Sequence, residues 1–297
     1  HAALAMNLQG GGGFEIWQHT QHESKGPDFQ VQAGDLGIYI TKIKTKNAEN
    51  ALKVFTHKNI KVLGDIAKDP DGTPYFFIED PYGNIFQIIE GDNSWFKDEG
   101  KPTGGTYGCI IGSLDIDKAL PLYQQILQYD KVVYDTTGQF EDLQSLPGGN
   151  KTFRRVLLTH SHPRKGAFSP IFGNTYIELI QVTDREPVKI FKDRLWGEFG
   201  FIHLCFDIQG MDALRTQCKE MGYPFTVDTG DSFDMGEAAG AFAYIEDPDG
   251  TLIEFVETHK VPLLKKLGIY LNLRKRNPEK PLPRWMLIML GMSRVKF

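Results

Sequence analysis

Cysteine is scarce. Cys109, Cys205 and Cys218 are the only three in 297 residues, an odd number without the spacing of a metal knuckle. That argues against a disulfide scaffold and suits a reducing compartment, so a cytoplasmic location is expected. Long apolar runs are missing too. None approaches the ~18 residues needed to span a bilayer, no signal-peptide pattern is visible, and no membrane partner is expected. Acid is nearly absent from one stretch: from Lys260 to Phe297 ten Lys and Arg face a single acid, Glu279, while the remainder carries 23 basic and 37 acidic residues. Nucleic acid is not expected as a partner, because a basic footprint should dominate its domain rather than decorate an end. The tail is expected to pack back onto the acidic body, with a lid or a dimer contact as the lesser readings. The chain begins at His1 rather than methionine, so a preceding segment is expected.

What the chain does contain is repetition. "YFFIEDPYGNIFQIIE" (75–90) has a near twin in "FAYIEDPDGTLIEFVE" (242–257), both reading as strand, tight turn, strand. Asp80 and Asp247 differ by 167, "GDLGIYITKI" (34–43) answers "GFIHLCFDI" (200–208) at an offset of 166, and "GGFEIWQ" (12–18) answers "TYIELIQ" (175–181) at 163. Near-constant offsets predict two similar domains in tandem, residues 1–92 and 104–260, joined by a linker over 93–103 and followed by a basic extension, 261–297.

Each domain divides again into a unit of strand, helix and three strands. In the later domain "TYGCIIGS" is a strand and "DIDKALPLYQQILQY" a helix, with Ile116, Ala119, Leu120, Tyr123, Ile126 and Leu127 at helical spacing. Asp115 or Asp117 caps that helix, and Pro121 costs it one backbone bond at most. Strands follow near 131–135, 152–160 and 175–182. The unit restarts with a strand at 200–208, a helix from Met211 ended by Gly222, and strands near 223–228, 241–246 and 251–257. The earlier domain has its second unit intact and its first reduced to the last strand or two, as though roughly 60 residues were missing upstream.

Three ionisable residues sit in apolar rows. Glu178 shares a strand face with Tyr176, Ile180 and Val182, His203 with Phe201 and Cys205, and Glu254 with Leu252 and Val256. An unpaired carboxylate or imidazole there costs several kcal/mol. Two carboxylates and a histidine converging in one concave sheet would suit a divalent cation; the alternatives are an arginine ion pair for each glutamate and a hydrogen-bonded core position for the histidine. Arg154 and Arg155 point to opposite faces, so at most one meets a pocket. Arg154, His160, His162 and Cys205 are pocket candidates, His160 and His162 as substitute ligands. "DSFDMGEAAG" (231–240) reads as a pocket-edge loop.

The paired units, the "DIDKALPLY" helix start, the "YIEL" and "GFIHLCFDI" strands and the "EDPDGTLIEF" hairpin together resemble the vicinal oxygen chelate superfamily, which includes glyoxalase I, bleomycin-resistance proteins, methylmalonyl-CoA epimerase and extradiol dioxygenases. The resemblance implies an α+β fold of tandem βαβββ modules forming two glyoxalase-like domains, the first lacking its N-terminal part, plus a C-terminal extension. It places metal ligands on the first and last strands of each unit, hence at Glu178, His203 and Glu254. The fourth position falls on Gly108, where the family usually has His or Gln. One divalent ion (Zn, Fe, Mn or Ni) is the implied cofactor. The matching earlier positions, Glu15, Gly37 and Gln87, would bind a cation poorly, so the earlier domain is expected to serve as scaffold. The implied activity is a divalent-metal-dependent isomerase or lyase in which Glu254 or Glu178 moves a proton on a small substrate chelated through neighbouring oxygens. An extradiol-type ring-cleaving dioxygenase and a non-catalytic small-molecule binder are the alternatives, and a homo-oligomer is compatible with each.

Overall fold

Three turns of one chemistry, Asp-Pro-Xaa-Gly, shape the hairpins: Asp69 to Gly72, Asp80 to Gly83 and Asp247 to Gly250. Proline fixes φ near the value an early turn residue needs, and only glycine readily takes the positive φ that closes the turn. Gly72, Gly83 and Gly250 have φ of 90°, 84° and 90°. Each aspartate carboxylate then accepts the backbone N–H four residues on, from Thr73 at 3.0 Å, Asn84 at 2.9 Å and Thr251 at 2.7 Å.

The computed structural model describes residues 2–91, 95–230, 233–234, 239–264, 269–289 and 291. In chain order its elements are β1 (Ala2–Ala5), β2 (Phe14–Trp17), β3 (Gly37–Thr45), α1 (Ala48–His57), β4 (Lys61–Lys68), β5 (Pro74–Glu79), β6 (Ile85–Glu90), β7 (Thr103–Gly112), α2 (Ile116–Pro121), β8 (Lys131–Gln139), β9 (Thr152–Thr159), α3 (Ser169–Phe172), β10 (Tyr176–Val182), β11 (His203–Asp207), α4 (Met211–Glu220), β12 (Val227–Asp228), β13 (Phe233–Asp234), β14 (Ala239–Glu246), β15 (Leu252–Leu264), β16 (Ile269–Asn272) and α5 (Arg284–Met289). They form two compact units, residues 1–163 with 171–202, and residues 164–170 with 203–297. Most of the loop expected at 231–240 and parts of the C-terminal extension (265–268, 290, 292–297) lie outside the described residues.

The first unit is built on an eight-stranded sheet in the order β4-β5-β6-β3-β7-β10-β9-β8. Within each module the first and last strands run parallel, β3 with β6 and β7 with β10, and the two modules join where β3 meets β7 antiparallel. This corrects the expected boundary. The stretch 93–103 does not divide one sheet from another, because the second module of the earlier copy and the first module of the later copy share a ladder. Side-chain alternation sorts the core. Tyr75, Phe77, Ile85 and Ile89 bury on one face, while Phe76, Ile78 and Ile88 pack with Ala48 and Ala51 of α1 on the other. Asn47 starts α1 by accepting the Asn50 N–H at 2.8 Å.

Asp115, rather than Asp117, caps α2, accepting the Lys118 N–H. The longer helix expected there changes type at Pro121. Proline has no N–H to give and its ring displaces the carbonyl one turn back, and Leu122–Ile126 follow as a π-helical turn closed by Leu127 N–H to the Leu122 carbonyl at 3.1 Å.

The second unit carries one module. Its path is β11-β15-β14-β12, with β11 parallel to β15 and with β13 and β16 paired at the side. Ile245, Ile253 and Phe255 are buried, as are Met211 and Cys218 of α4. The basic extension adds β16 against β15, where the Lys260 ammonium lies 3.9 Å from the Tyr270 ring centroid. Among the described residues no helix is long and apolar enough to cross a membrane.

Gly108 marks a close approach of two backbones in the first unit. A Cβ there would stand 1.8 Å from the Tyr176 carbonyl oxygen of β10. The neighbour is backbone and cannot swing aside, so the ladder admits no side chain, and neither the His nor the Gln that the resemblance implies at this position. Gly108→Ala is expected to cost at least about 3 kcal/mol in a urea unfolding series; wild-type stability in that variant would refute the close packing.

Candidate metal centre

His203 opens β11 and Glu254 sits in β15, the parallel neighbour. The register sets Cys205 opposite Glu254 and His203 opposite Leu252, so imidazole and carboxylate meet on a diagonal of one sheet face. The Nε2 of His203 is 3.2 Å from the Oε2 of Glu254, and the two side chains are 6% and 9% exposed. The oxygen is buried without hydrogen-bond geometry to any partner among the described residues, so the pair is close but not bonded. Two donors each about 2.1 Å from one ion, at angles between octahedral and tetrahedral, lie about 3.0–3.4 Å apart. The observed separation fits. The ring of Tyr244 stands edge-on to His203, centroids 5.6 Å apart at 90°, and braces the imidazole.

Glu178 does not join this pair. The three were expected in one sheet; instead Glu178 lies in the eight-stranded sheet of the first unit, and His203 and Glu254 lie in the sheet of the second. Glu178 is wholly buried and both its oxygens are taken: Arg155 Nε donates to Oε1 at 2.7 Å and Lys42 Nζ to Oε2 at 2.7 Å. Lys42 also donates to Gln87 Oε1 at 2.5 Å, and Arg155 Nη1 to Asp142 at 2.7 Å, which accepts the Tyr75 hydroxyl at 2.8 Å. Burial alone would raise the Glu178 pKa, but Arg155 and Lys42 outweigh it and hold the carboxyl at about 2. The arginine ion pair, one of the two readings open for this carboxylate, is the one realised, with a lysine added.

The register also revises the earlier copy's matching set. Ile40, not Gly37, stands opposite Ile85 and so corresponds to His203, while Lys42 stands opposite Gln87 as Cys205 stands opposite Glu254. Sequence reasoning passed over Lys42 and Lys44, yet both lie at alternate places in the apolar "GIYITKIKT" and are 1% and 0% exposed. Two lysines on an inward strand face are as unusual as a glutamate there and carry the same message. Glu15 is exposed on β2.

The pocket candidates fare unevenly. Arg155 is the arginine that faces inward; Arg154 instead faces out, paired with Asp117 and Asp135, each at 2.9 Å. His160 stacks on Tyr129 with centroids 4.0 Å apart and places Nδ1 2.6 Å from the Gln128 carbonyl, and His162 is exposed, so neither is offered to the Glu178 cluster. Cys205 is exposed on β11.

Residues 109–255 match the model of the Glyoxalase/Bleomycin resistance protein/Dioxygenase superfamily. The chain belongs to the vicinal oxygen chelate superfamily. Solved structures similar to this superfamily member include glyoxalase I from Zea mays, at 14% identity over 76% of this chain and 69% of that one with a TM-score of 0.47. A proposed dioxygenase from Bacillus subtilis shares 16% identity over 86% and 71%, TM-score 0.49, and lactoylglutathione lyase from Agrobacterium tumefaciens 16% over 50% and 90%, TM-score 0.30. No curated protein matches the sequence. In this vicinal oxygen chelate chain the two units thus differ: the first answers its strand carboxylate with Lys42 and Arg155, and the second sets its strand carboxylate beside His203.

Removing one member of the buried cluster leaves an opposite charge unpaired. Lys42→Met and Glu178→Gln are each expected to destabilise by about 3–5 kcal/mol at pH 7, read by urea unfolding. A carboxyl with a depressed folded pKa stabilises above its unfolded value and loses that contribution as pH falls through the folded one. For Glu178 the loss therefore falls between 4.5 and about 2. Over that window the gap between wild type and Glu178→Gln should close; a gap that stays constant would remove the assignment.

Proposed function

We propose that this protein is a divalent-metal-dependent enzyme of the glyoxalase-like group, an isomerase or lyase, with His203 and Glu254 as metal ligands in its second unit. The observation that carries the reading is the pair itself: a histidine nitrogen and a glutamate oxygen 3.2 Å apart, buried, with the oxygen lacking a hydrogen-bond partner among the described residues. Nitrogen-plus-carboxylate donor sets suit Zn, Fe, Mn or Ni.

A divalent ion bound there would supply Lewis acidity to two neighbouring oxygens of a small substrate and lower the cost of an enolate. The remaining work belongs to side chains. Glu254, poorly solvated, is the side chain placed to take a proton from the adjoining carbon and return it, through the carboxylate oxygen that an ion held by Oε2 would leave uncommitted. His203 stays neutral as a ligand, its plane held by Tyr244. Glu178, the other carboxylate considered for proton transfer, has both oxygens committed to cations and carries no such step.

Protein purified without chelator is expected to contain about one equivalent of a divalent metal by plasma emission analysis, because the first unit already neutralises its own carboxylate. His203→Ala and Glu254→Gln should each lower metal content tenfold or more, in line with the loss of one of few ligands, while Lys42→Met should not. Wild type should exchange the carbon-bound proton of an α-hydroxycarbonyl with solvent deuterium, and Glu254→Gln should not. Metal-free wild-type protein after reloading with each of the four ions would sink the proposal.

A further inference from the structure

A second concave site lies on the other face of the second unit's sheet. Glu257 is three residues beyond Glu254 on β15, and an odd step along a strand reverses the side-chain direction. There Gly210, Glu257, Thr258, His259, Arg274 and Arg276 line a half-open cavity of about 260 Å³. β16 pairs with β15 and the Leu273 N–H donates to the His259 carbonyl at 2.8 Å, which delivers the two arginines of the basic extension to this place.

The polar groups are unevenly satisfied. The Glu257 carboxylate points to the start of α4, accepting the Gly210 N–H at 2.8 Å and the Met211 N–H at 3.4 Å. His259 is different. Its side chain is 9% exposed, Glu257 lies 3.7 Å away, and its buried Nε2 has no hydrogen-bond partner among the described residues. The Nε of Arg276 is likewise buried without one among the described residues, although its Nη2 donates to the Pro281 carbonyl at 3.4 Å. Buried donors of this kind are costly unless something accepts from them. Two guanidinium groups against one carboxylate also leave the lining net positive, whatever the state of His259.

We propose that this cavity binds the phosphate group of a small anionic metabolite, at a site separate from the His203–Glu254 pair. Arg276 supplies a planar fork matched to a phosphate oxygen pair, Arg274 a second guanidinium, and His259 a donor in its Nε2-protonated tautomer. Thr258 lines the same space, with its hydroxyl donating to Asp207 Oδ1 at 3.4 Å. The volume lies below the roughly 300–1,000 Å³ of pockets that take drug-sized ligands, so the cavity holds the phosphate and little of the body attached to it. Nothing in this assignment depends on the metal reading.

Calorimetric titration of the full chain with inorganic phosphate, at ionic strength held constant with chloride, tests it. Saturable binding of one phosphate per chain is expected, together with a rise in Tm that grows with phosphate concentration. Arg276→Gln and His259→Gln should each weaken binding about tenfold or more, the loss of one charge-assisted hydrogen bond, with metal content unchanged. Arg276→Lys, which keeps the charge without the fork, should fall between wild type and Arg276→Gln. Absence of saturable binding to wild type would overturn the proposal, as would equal affinity in Arg276→Gln and His259→Gln.

Discussion

A buried carboxylate must be answered by positive charge, and in the first unit that demand is met from within the chain. Glu178 is held between Arg155 and Lys42, Lys42 is shared with Gln87, and Arg155 reaches on to Asp142 and Tyr75. These residues come from β3, β5, β6, β9, β10 and the turn at Glu141–Leu143, so one charge cluster spans both modules of the eight-stranded sheet. Such a cluster is not a cheap source of stability, since desolvating four charged groups offsets much of their attraction. What it does is fix which strands face which, because any slip of register would strand a charge in an apolar layer.

The second unit meets the same demand differently. Glu254 occupies the place in its module that Glu178 occupies in its own, and neither meets a cation on its own first strand, which sets Cys205 opposite Glu254 and Ile110 opposite Glu178. The ammonium that reaches Glu178 is Lys42 of the adjoining module, where it stands opposite Gln87. In the second unit carboxylate and imidazole stand at ligand spacing. A lysine lent across the β3–β7 join, with Arg155 of β9, separates the self-neutralised core from the candidate metal centre.

Much of this could be read from the sequence, and the reasons for the remainder are physical. The hairpins were legible because Asp-Pro-Xaa-Gly writes its turn chemistry into four adjacent residues. The modules were legible because the strand patterns recur. The odd charges at Glu178, His203 and Glu254 were visible against their apolar rows. Which module pairs with which was not, since strand edges carry no local signature of their partner; the ladder joining β3 to β7 cuts across the chain's repeat. That pairing decided the fate of Glu178, and the buried lysines of "GIYITKIKT" were the one available warning.

The β3–β7 ladder has an implication for the chain as a polymer. Severed within 93–103, the protein would not fall into two self-sufficient halves. Each fragment would carry a strand, β3 in one and β7 in the other, whose hydrogen-bonding edge had lost its mate. Bare edges of that length recruit whatever strand is nearest. The same exposed seam that invites aggregation would let the two fragments reassemble when mixed, so the repeat visible in the sequence and the cooperative block of the structure have different borders.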